Sequence, residues 1–475
     1  MSSGDWDRPP PEELGSLIAM LQRRSRGERS PAALLRKRVL RGSGWVFLAM
    51  AFSSVLGLVV NGLLGRLLTH DEFGAYFLVF GLASIGAQIS VVGMDRAVVR
   101  TVSQGIATNQ PGRAREAVRH ALFFGALGSL VVAGIMVIGI GGFLAQHVYH
   151  SAIVADSVVF AAAWLIAMTL QTLVAETFRG FQRFWQAQLF GGLLVDALSV
   201  LVFGFLWLHH SHPSLATTVL LITGMMSLSL LVGGTLLSRR VKRLGRGGSM
   251  PTREMLSLAW PFLITNFLTF LVGTGVDIFI LAAYVAHRSQ LALYGAATRL
   301  VFFVAAPFII VSLVVPPIIS ELHARGEGHR LEKSLREVAT LAAIPAFIVW
   351  ITFVFFGGPI MAVAYGSDFF RQGAKALAIL GTARLYAVAT GNSGTLLMMT
   401  GNQRTMMRIT TISGVYAVTA ELLLAPRYGI VGVAIGTATA QFIQNTLQLV
   451  FGKRKVGIWT HAQFSLRPVM ALIGK

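Results

Sequence analysis

The sequence predicts an all-helical protein that spans a membrane many times. Of its 475 residues, 54% are hydrophobic and 13% are charged, and the mean hydropathy is +0.68. Charged residues make up about a quarter of an ordinary soluble domain. Apolar runs of about twenty residues recur along the chain, and a helix of that length crosses about 30 Å of hydrocarbon. Because only lipid can cover so much apolar surface, we expect an all-α integral membrane protein.

The first hairpin is the unit that the chain repeats. Between Arg41 and Gln104, two apolar runs flank a short polar turn at His70, with arginines before the first run and after the second. The same pattern along the chain predicts about twelve spans. They cover residues 44–65, 73–94, 120–143, 154–175, 188–208, 215–237, 256–283, 292–319, 337–357, 374–397, 407–424 and 429–451.

The positive charge lies mainly on one set of loops. The chain has 40 Lys and Arg residues and a net charge of +20. Most of these side chains lie in the two tails and in alternate loops, so the positive-inside rule predicts that both termini are cytoplasmic. The segment before the first span is polar and Arg-rich and lacks the apolar core of a signal peptide. Because the basic residues lie between apolar runs and not on a polar domain, we do not expect nucleic-acid binding.

Short motifs recur at matching places in the two halves. Residues 180–183 (GFQR) follow the predicted fourth span, and residues 401–404 (GNQR) follow the tenth. Tyr76 begins the second span as Tyr294 begins the eighth. With six spans in each half, both halves enter the membrane from the same side, so the predicted repeat is parallel.

This repeat predicts two six-helix bundles that enclose a cleft, a layout that suits alternating access. The predicted parts are a basic cytoplasmic N-terminal tail, a six-helix bundle, a basic cytoplasmic linker, a second six-helix bundle and a cytoplasmic C-terminal tail, at residues 1–43, 44–237, 238–255, 256–451 and 452–475.

Several stretches resemble one family of membrane proteins. Residues 62–100 (GLLGRLLTHDEFGAYFLVFGLASIGAQISVVGMDRAVVR) carry Arg-Leu-Leu, a short gap and then Glu-Phe-Gly-Ala-Tyr. This pattern is similar to the start of the polysaccharide-export flippases of the MOP (multidrug/oligosaccharidyl-lipid/polysaccharide) superfamily. Asp277, residues 293–300 (LYGAATRL), the double proline at Pro316 and residues 426–432 (PRYGIVG) fit the same family.

The resemblance implies a fold like that of the MATE transporters and a function without enzymatic chemistry. Such proteins move undecaprenyl-pyrophosphate-linked oligosaccharide from the inner to the outer leaflet of the bacterial cytoplasmic (inner) membrane. The implied pathways are O-antigen, capsule or exopolysaccharide synthesis, and polysaccharide polymerase or assembly proteins are the implied partners.

Buried cations and polar groups are the candidate cargo-binding residues. A pyrophosphate head must cross a low-dielectric slab, and arginines inside spans would offset its charge. Arg384, with Tyr386 near it, lies near the middle of the predicted tenth span, and Arg299 lies in the eighth. Arg66 and Asn61 lie toward the outer end of the first span. Structural pairing for Arg384 and snorkelling to the headgroups for Arg66 are the simpler alternatives.

Three carboxylates inside spans are candidates for ion coupling or gating. Asp277 lies at a depth similar to that of Arg299, which allows a gating ion pair, a static pair or a coupling proton. Asp196 lies near the middle of the fifth span. Glu421 lies near the outer end of the eleventh span, where an interface role is the simpler alternative.

Other site classes are not expected. His209, His210 and His212 lie in one short loop with no nearby carboxylate or cysteine, so we expect no metal site there. The chain has no cysteine, no Walker A run and no nucleophile elbow, so we expect no cofactor and no direct use of ATP. Two other functions stay open, namely a multidrug or cation antiporter of the same superfamily and a non-transporting scaffold of a polysaccharide assembly complex.

Overall fold

The computed structural model describes residue 49 and residues 52–140, 152–245, 247–273, 276–285, 287–312 and 315–463. The predicted N-terminal tail and the end of the C-terminal tail lie outside these residues. The described residues form helices joined by short turns. They are α1 (Phe52–Leu67), α2 (His70–Ser90), α3 (Met94–Ala107), α4 (Pro111–Ile135), α5 (Ala152–Gly180), α6 (Phe184–Leu208), α7 (Leu215–Lys242), α8 (Thr252–Gly273), α9 (Asp277–Tyr284), α10 (Ser289–Ser312), α11 (Val315–Ala324), α12 (Gly328–Tyr365), α13 (Ala374–Thr390), α14 (Ser393–Met399) and α15 (Gln403–Val456).

The all-helical membrane class is confirmed, whereas the number of spans stays a prediction. Eight of the described helices are long and apolar enough to cross a membrane. The predicted seventh span is divided into α8 and α9. The tenth is divided between α13 and α14 by Gly391, which has a φ of 71°. The predicted eleventh and twelfth spans are the two arms of α15, which are separated at Gly429, where the backbone is not helical and φ is 52°.

Local sequence explains where the helices begin and bend. Thr69 caps α2 by accepting a hydrogen bond from the backbone of Glu72, whose carboxylate in turn accepts from the backbone of Thr69. This reciprocal capping box fixes the turn between α1 and α2. At the kink in α15, Gly432 and Gly436 let its two arms meet, because a β-carbon on either would overlap the opposite arm. A Gly-x-x-x-Gly motif such as this one commonly lets membrane helices approach closely.

The α1–α2, α9–α10 and α12–α13 connections lie together at what we call the Thr69 end, and side chains from both halves close it. Phe73 of α2, Tyr365 of α12 and Phe370 are each 0% exposed. Their ring centroids lie 5.0 to 5.9 Å apart. The Asp71 carboxylate accepts a hydrogen bond from the backbone N–H of Ser289 at 2.7 Å. The two halves are therefore in direct contact at this end.

Glycine brings α2 and α10 together at the same end. A β-carbon on Gly74 would overlap the carbonyl of Arg288, and one on Gly295 would overlap the ring of Phe77. Only a glycine allows backbones to approach this closely. The contact between α2 and α10 is therefore the tightest point of the closed end that these residues define.

The buried apolar side chains of the described residues form three clusters. The largest cluster combines residues of α2 with residues of α10 and α12. A second lies within residues 91–259, which include the first turns of α8, and a third within residues 315–458. These two belong to what we call the Arg183 end, where α2 leads into α3 and α5 into α6. The second cluster also joins the halves, because Met255 and Ala259 of α8 pack in it with first-half residues, and a β-carbon on Gly93 would overlap the carbonyl of Ala259.

Candidate functional site

A cavity of about 600 Å³ lies between the halves, next to the closed Thr69 end. Residues of α1, α2, α9, α10 and α13 line it, so both halves contribute to its wall. Among the predicted site residues, Asn61, Asp277, Arg299 and Arg384 are part of the lining. The structure thus brings together two arginines, one carboxylate and one amide that the sequence places in four different helices.

Arg299 reaches the cavity from α10 between aromatic rings. Its guanidinium carbon lies 4.6 Å from the ring centroid of Phe80 and 5.9 Å from that of Phe77, both on α2. Among the described residues, no carboxylate lies within ion-pair distance of this guanidinium and no side-chain or backbone oxygen accepts from it. Its N–H donors are therefore available to a molecule in the cavity.

Arg384 of α13 is the second cation of the cavity. Its guanidinium lies close enough to Asp277 for the two charges to interact, but the described residues give it neither an ion pair nor a hydrogen bond. A guanidinium offers five N–H donors in a fixed plane, which suits the oxygens of a phosphate. Both guanidinium groups, of Arg299 and Arg384, lie in the lining of this one cavity.

Asp277 does not form the predicted ion pair with Arg299. Its Oδ2 accepts a hydrogen bond from the Tyr294 hydroxyl at 2.7 Å, and its Oδ1 accepts from the backbone N–H of Ile278 at 2.9 Å. The carboxylate is only 4% exposed. Because Tyr294 already satisfies it, no described basic side chain is needed at its side, and Arg299 lies instead against Phe80.

Asp277 is one end of a buried chain of polar groups. The Tyr294 hydroxyl lies 3.3 Å from Oγ1 of Thr437, and Thr437 donates to Oε1 of Glu421 at 2.9 Å. Tyr294 is 1% exposed and Glu421 is 3% exposed. The chain links α9, α10 and both arms of α15, all in the second half.

This polar chain has room for one more proton. It contains three contacts, whereas the two hydroxyls supply only two protons. When both carboxylates are ionised, each hydroxyl donates outward to a carboxylate, and the contact between Tyr294 and Thr437 has no proton. That contact is also the longest of the three. A proton on either carboxyl group would complete the chain of hydrogen bonds.

A third carboxylate, Asp196, lies in the first half. Its Oδ2 accepts a hydrogen bond from Oγ of Ser53 on α1 at 2.6 Å. It is half-buried and is not part of the cavity lining, although its charge lies within interaction range of Arg299. The structure therefore places Asp196 behind the cavity wall, next to α1.

Asn61 has an unused acceptor. Its Nδ2 donates to the carbonyl of Gly57 at 2.7 Å, and its Oδ1 has no hydrogen-bond partner among the described residues. Asn61 lines the cavity, but its Oδ1 is buried, so this conformation does not present that acceptor to the cavity.

Arg66 and Tyr386 lie apart from the cavity. Arg66 donates to the carbonyls of Val363 and Ala364 at the end of α12, and to that of Gly62 at 2.9 Å. The Tyr386 hydroxyl lies 2.7 Å from Oγ1 of Thr446. Their predicted contact with a cargo stays a prediction, since in this conformation both polar groups have protein partners.

Sequence reasoning missed the partners of the charged residues. Tyr294, Thr437 and Phe80 are residue types that fill the cores of membrane bundles, so nothing in their type distinguishes them. Tyr294 carried the one usable signal, because it lies in the family-like stretch at 293–300 and corresponds to Tyr76 in the repeat. Among the described His, Cys, Asp and Glu residues, no group of three or more could hold a metal ion.

Solved structures with a similar fold are transporters and flippases. A MATE-family multidrug transporter of the MOP superfamily in an inward-facing conformation has a TM-score of 0.72 at 14% identity, over 85% of this chain and 94% of that chain. The lipid II flippase MurJ in an inward closed conformation has a TM-score of 0.56 at 16% identity, over 90% of this chain and 92% of that chain. A MOP-superfamily transporter from Pyrococcus furiosus, described as having a binding pocket of reverse polarity, has a TM-score of 0.58 at 14% identity, over 89% of this chain and 96% of that chain. At these identities the likeness shows the fold alone.

No curated protein sequence matches this chain. The family model described as "Polysaccharide biosynthesis protein" matches residues 39–323, which is more than half of the sequence. The match covers the whole first half and the start of the second, including Asp277 and Arg299. The chain therefore belongs to the polysaccharide biosynthesis protein family and has the fold of the MOP-superfamily transporters.

Proposed function

We propose that this protein carries undecaprenyl-pyrophosphate-linked oligosaccharide across the bacterial cytoplasmic membrane, for the synthesis of O-antigen, capsule or exopolysaccharide. It acts as a transporter and not as an enzyme. The observation that carries the proposal is the pair of arginines, Arg299 and Arg384, that line one cavity without a protein ion-pair partner among the described residues. A pyrophosphate brings two negative charges to these two guanidinium groups.

The conformation supports alternating access. The predicted orientation, with both termini in the cytoplasm, places the Thr69 end outside and the Arg183 end inside. The Thr69 end is closed by side chains of both halves, so in this conformation cargo would not pass to the outside. In this proposal, residues 44–237 and 256–451 move relative to each other as two six-helix bundles.

An ion site in the second half supports coupling to a gradient. Asp277 and Glu421 are joined through Tyr294 and Thr437, and this chain of groups lacks one proton when both carboxylates are ionised. Because Asp277 lies near Arg384, a charge taken up there would change how strongly Arg384 attracts a phosphate. Asp196, bonded to Ser53, is the corresponding candidate in the first half.

The cavity is a poor match for the multidrug alternative. A site for cationic drugs needs exposed negative charge, whereas here two arginines face the cavity and its one lining carboxylate accepts two hydrogen bonds from the protein. A scaffold without transport would not need two arginines without ion-pair partners beside a cavity, because a buried cation in a membrane protein is costly.

Export by arginine variants tests the proposal. In a deletion strain of the host, Arg384→Gln and Arg299→Gln should leave the lipid-linked oligosaccharide in the inner leaflet, where an impermeant glycan-modifying reagent added to spheroplasts does not reach it. Each arginine that binds phosphate contributes about 1.5–3 kcal/mol, or roughly tenfold to a hundredfold in affinity. Arg371→Gln is the matched control, because Arg371 pairs with Asp368 on the exposed surface. Normal export by both cavity variants, at normal protein levels, would contradict the proposal.

A further inference from the structure

Arg299, the cavity cation on α10, is held by aromatic rings that belong to the other half. Arg299 comes from the second half, while Phe80 and Phe77 lie on α2 in the first half. The nearer ring, Phe80, has its centroid 4.6 Å from the guanidinium carbon and also lines the cavity. The Phe77 ring packs directly on Gly295 of α10, where a β-carbon would overlap it.

A guanidinium held by an aromatic ring can still bind an anion, whereas one held by a carboxylate cannot do so as well. A carboxylate would hold the guanidinium by neutralising its charge and occupying its donors. A ring face attracts the cation through its quadrupole, and it leaves the charge and the N–H groups unsatisfied. The edge of the guanidinium then remains free to donate to an oxygen of a bound anion.

The geometry points to Phe80 as a positioning residue for the cargo's phosphates, and we infer that it holds Arg299 ready only while α2 packs on α10. This inference rests on the proposed function and adds a state dependence to it. When the Thr69 end opens, α2 separates from α10, and the guanidinium loses its ring. The anion site is therefore stronger in the conformation closed at the Thr69 end than in the one open there, which is the difference that a directional carrier needs.

Binding of farnesyl pyrophosphate to the purified protein in nanodiscs measures the role of Phe80. Phe80→Leu should weaken binding about fivefold to thirtyfold, the range that corresponds to a desolvated cation–π contact. Phe80→Tyr should restore affinity to within about twofold, because it keeps the ring face. Phe124→Leu, in a half-buried ring of α4 outside the cavity, is the control for general effects of removing an aromatic side chain.

A double-mutant cycle separates positioning from packing. In an Arg299→Gln background, Phe80→Leu should have no further effect, because Phe80 then has no guanidinium to hold. Should Phe80→Leu disturb folding, fluorinated phenylalanines at position 80 keep the shape and weaken the ring quadrupole step by step, and affinity should fall with each added fluorine. Additive effects in the cycle, or affinities that ignore fluorination, would overturn the positioning role of Phe80.

The closed conformation can be locked because the chain has no native cysteine. Asp71 and Ser289 are in contact across the halves, so Asp71→Cys with Ser289→Cys should form a disulfide that fixes α2 on α10. Oxidation should raise the affinity for farnesyl pyrophosphate or leave it unchanged, and Phe80→Leu should still weaken it. A loss of affinity on oxidation would overturn the state dependence. Wild-type affinity in Arg299→Gln and in Arg384→Gln would instead remove the anion site, and with it the proposed function.

Discussion

Replacing Tyr294 by Phe removes one buried hydroxyl from the polar chain of the second half and keeps the aromatic ring. That hydroxyl donates to Asp277 at 2.7 Å and lies 3.3 Å from Thr437. In the variant, the Asp277 carboxylate keeps the backbone N–H of Ile278 as its remaining described donor. The substitution therefore leaves an acceptor of a nearly buried carboxylate without its partner.

Two known ranges of hydrogen-bond energy set limits on how much stability Tyr294→Phe removes. A hydrogen bond to a charged group contributes about 1.5–3 kcal/mol in proteins, whereas hydrogen bonds between membrane helices average about 0.6 kcal/mol with a maximum near 1.7. Asp277 is 4% exposed, so water cannot readily replace the lost donor. We expect Tyr294→Phe to lower the free energy of unfolding by about 1.5–1.7 kcal/mol, where the two ranges overlap.

Two matched tyrosines give the comparison. The Tyr365 hydroxyl donates to the carbonyl of Ala296, a neutral acceptor, and the Tyr386 hydroxyl bonds to Thr446 in an exposed pair. Tyr365→Phe should cost about 0.6 kcal/mol and Tyr386→Phe less than that. Unfolding by sodium dodecyl sulfate in mixed micelles measures all three variants under one condition. A cost for Tyr386→Phe equal to or above that for Tyr294→Phe would refute the reasoning.

Three further substitutions test the packing, the backbone and the ion site. Gly74→Val should push α2 away from α10 and open the Thr69 end. A Thr298→Cys reporter in the cavity should then react at least about tenfold faster with an impermeant maleimide added outside, the ratio that a shift of 1.4 kcal/mol in the conformational equilibrium produces. Unchanged labelling would contradict this. Gly391→Ala should destabilise the protein by about 1–3 kcal/mol because of the positive φ at this position. The loss should exceed that of Gly401→Ala, because a β-carbon at 391 also meets backbone atoms whereas one at 401 meets open space. Equal losses would show that the close packing at 391 contributes nothing. Glu421→Gln should keep the hydrogen bond from the neighbouring threonine, so the thermal stability of the protein should not change. Export should become insensitive to the ion gradient. Export that still follows the gradient would count against this ion site.

The sequence predicts the helices well because hydrophobicity and length decide them. The breaks are less accessible, since an apolar run does not reveal where its backbone hydrogen bonds are interrupted. At residues 426–432 the break is accessible, because a proline and two glycines mark it, and the structure has non-helical backbone at Gly429. Gly432 lets the two arms of α15 pack closely, because a β-carbon there would overlap the carbonyl of Leu424.

The sequence predicts the charged residues of the site but not the side chains that contact them. A buried ionisable group in a membrane is costly, so Arg299, Arg384 and Asp277 stand out in the sequence, and the structure places all three on one cavity. Their pairing is set by side-chain reach across helices, which no linear spacing contains. Tyr294 is closer to Asp277 than any described cation, and Phe80 takes the place beside Arg299 that a carboxylate was expected to fill.

The distribution of these groups between the halves explains how one motion can change cargo affinity. Both cavity arginines and the whole polar chain from Asp277 to Glu421 belong to the second half, so opening the Thr69 end leaves their mutual distances intact. What opening removes is the contribution of the first half, which is the ring of Phe80 on Arg299 and the amide of Asn61 on the cavity wall. A carrier can shift its conformational equilibrium only through interactions that differ between its two states. In the proposed function, cargo release at the Thr69 end would depend on the side chains of α1 and α2, and a proton or cation in the second half would tune Arg384 in both states.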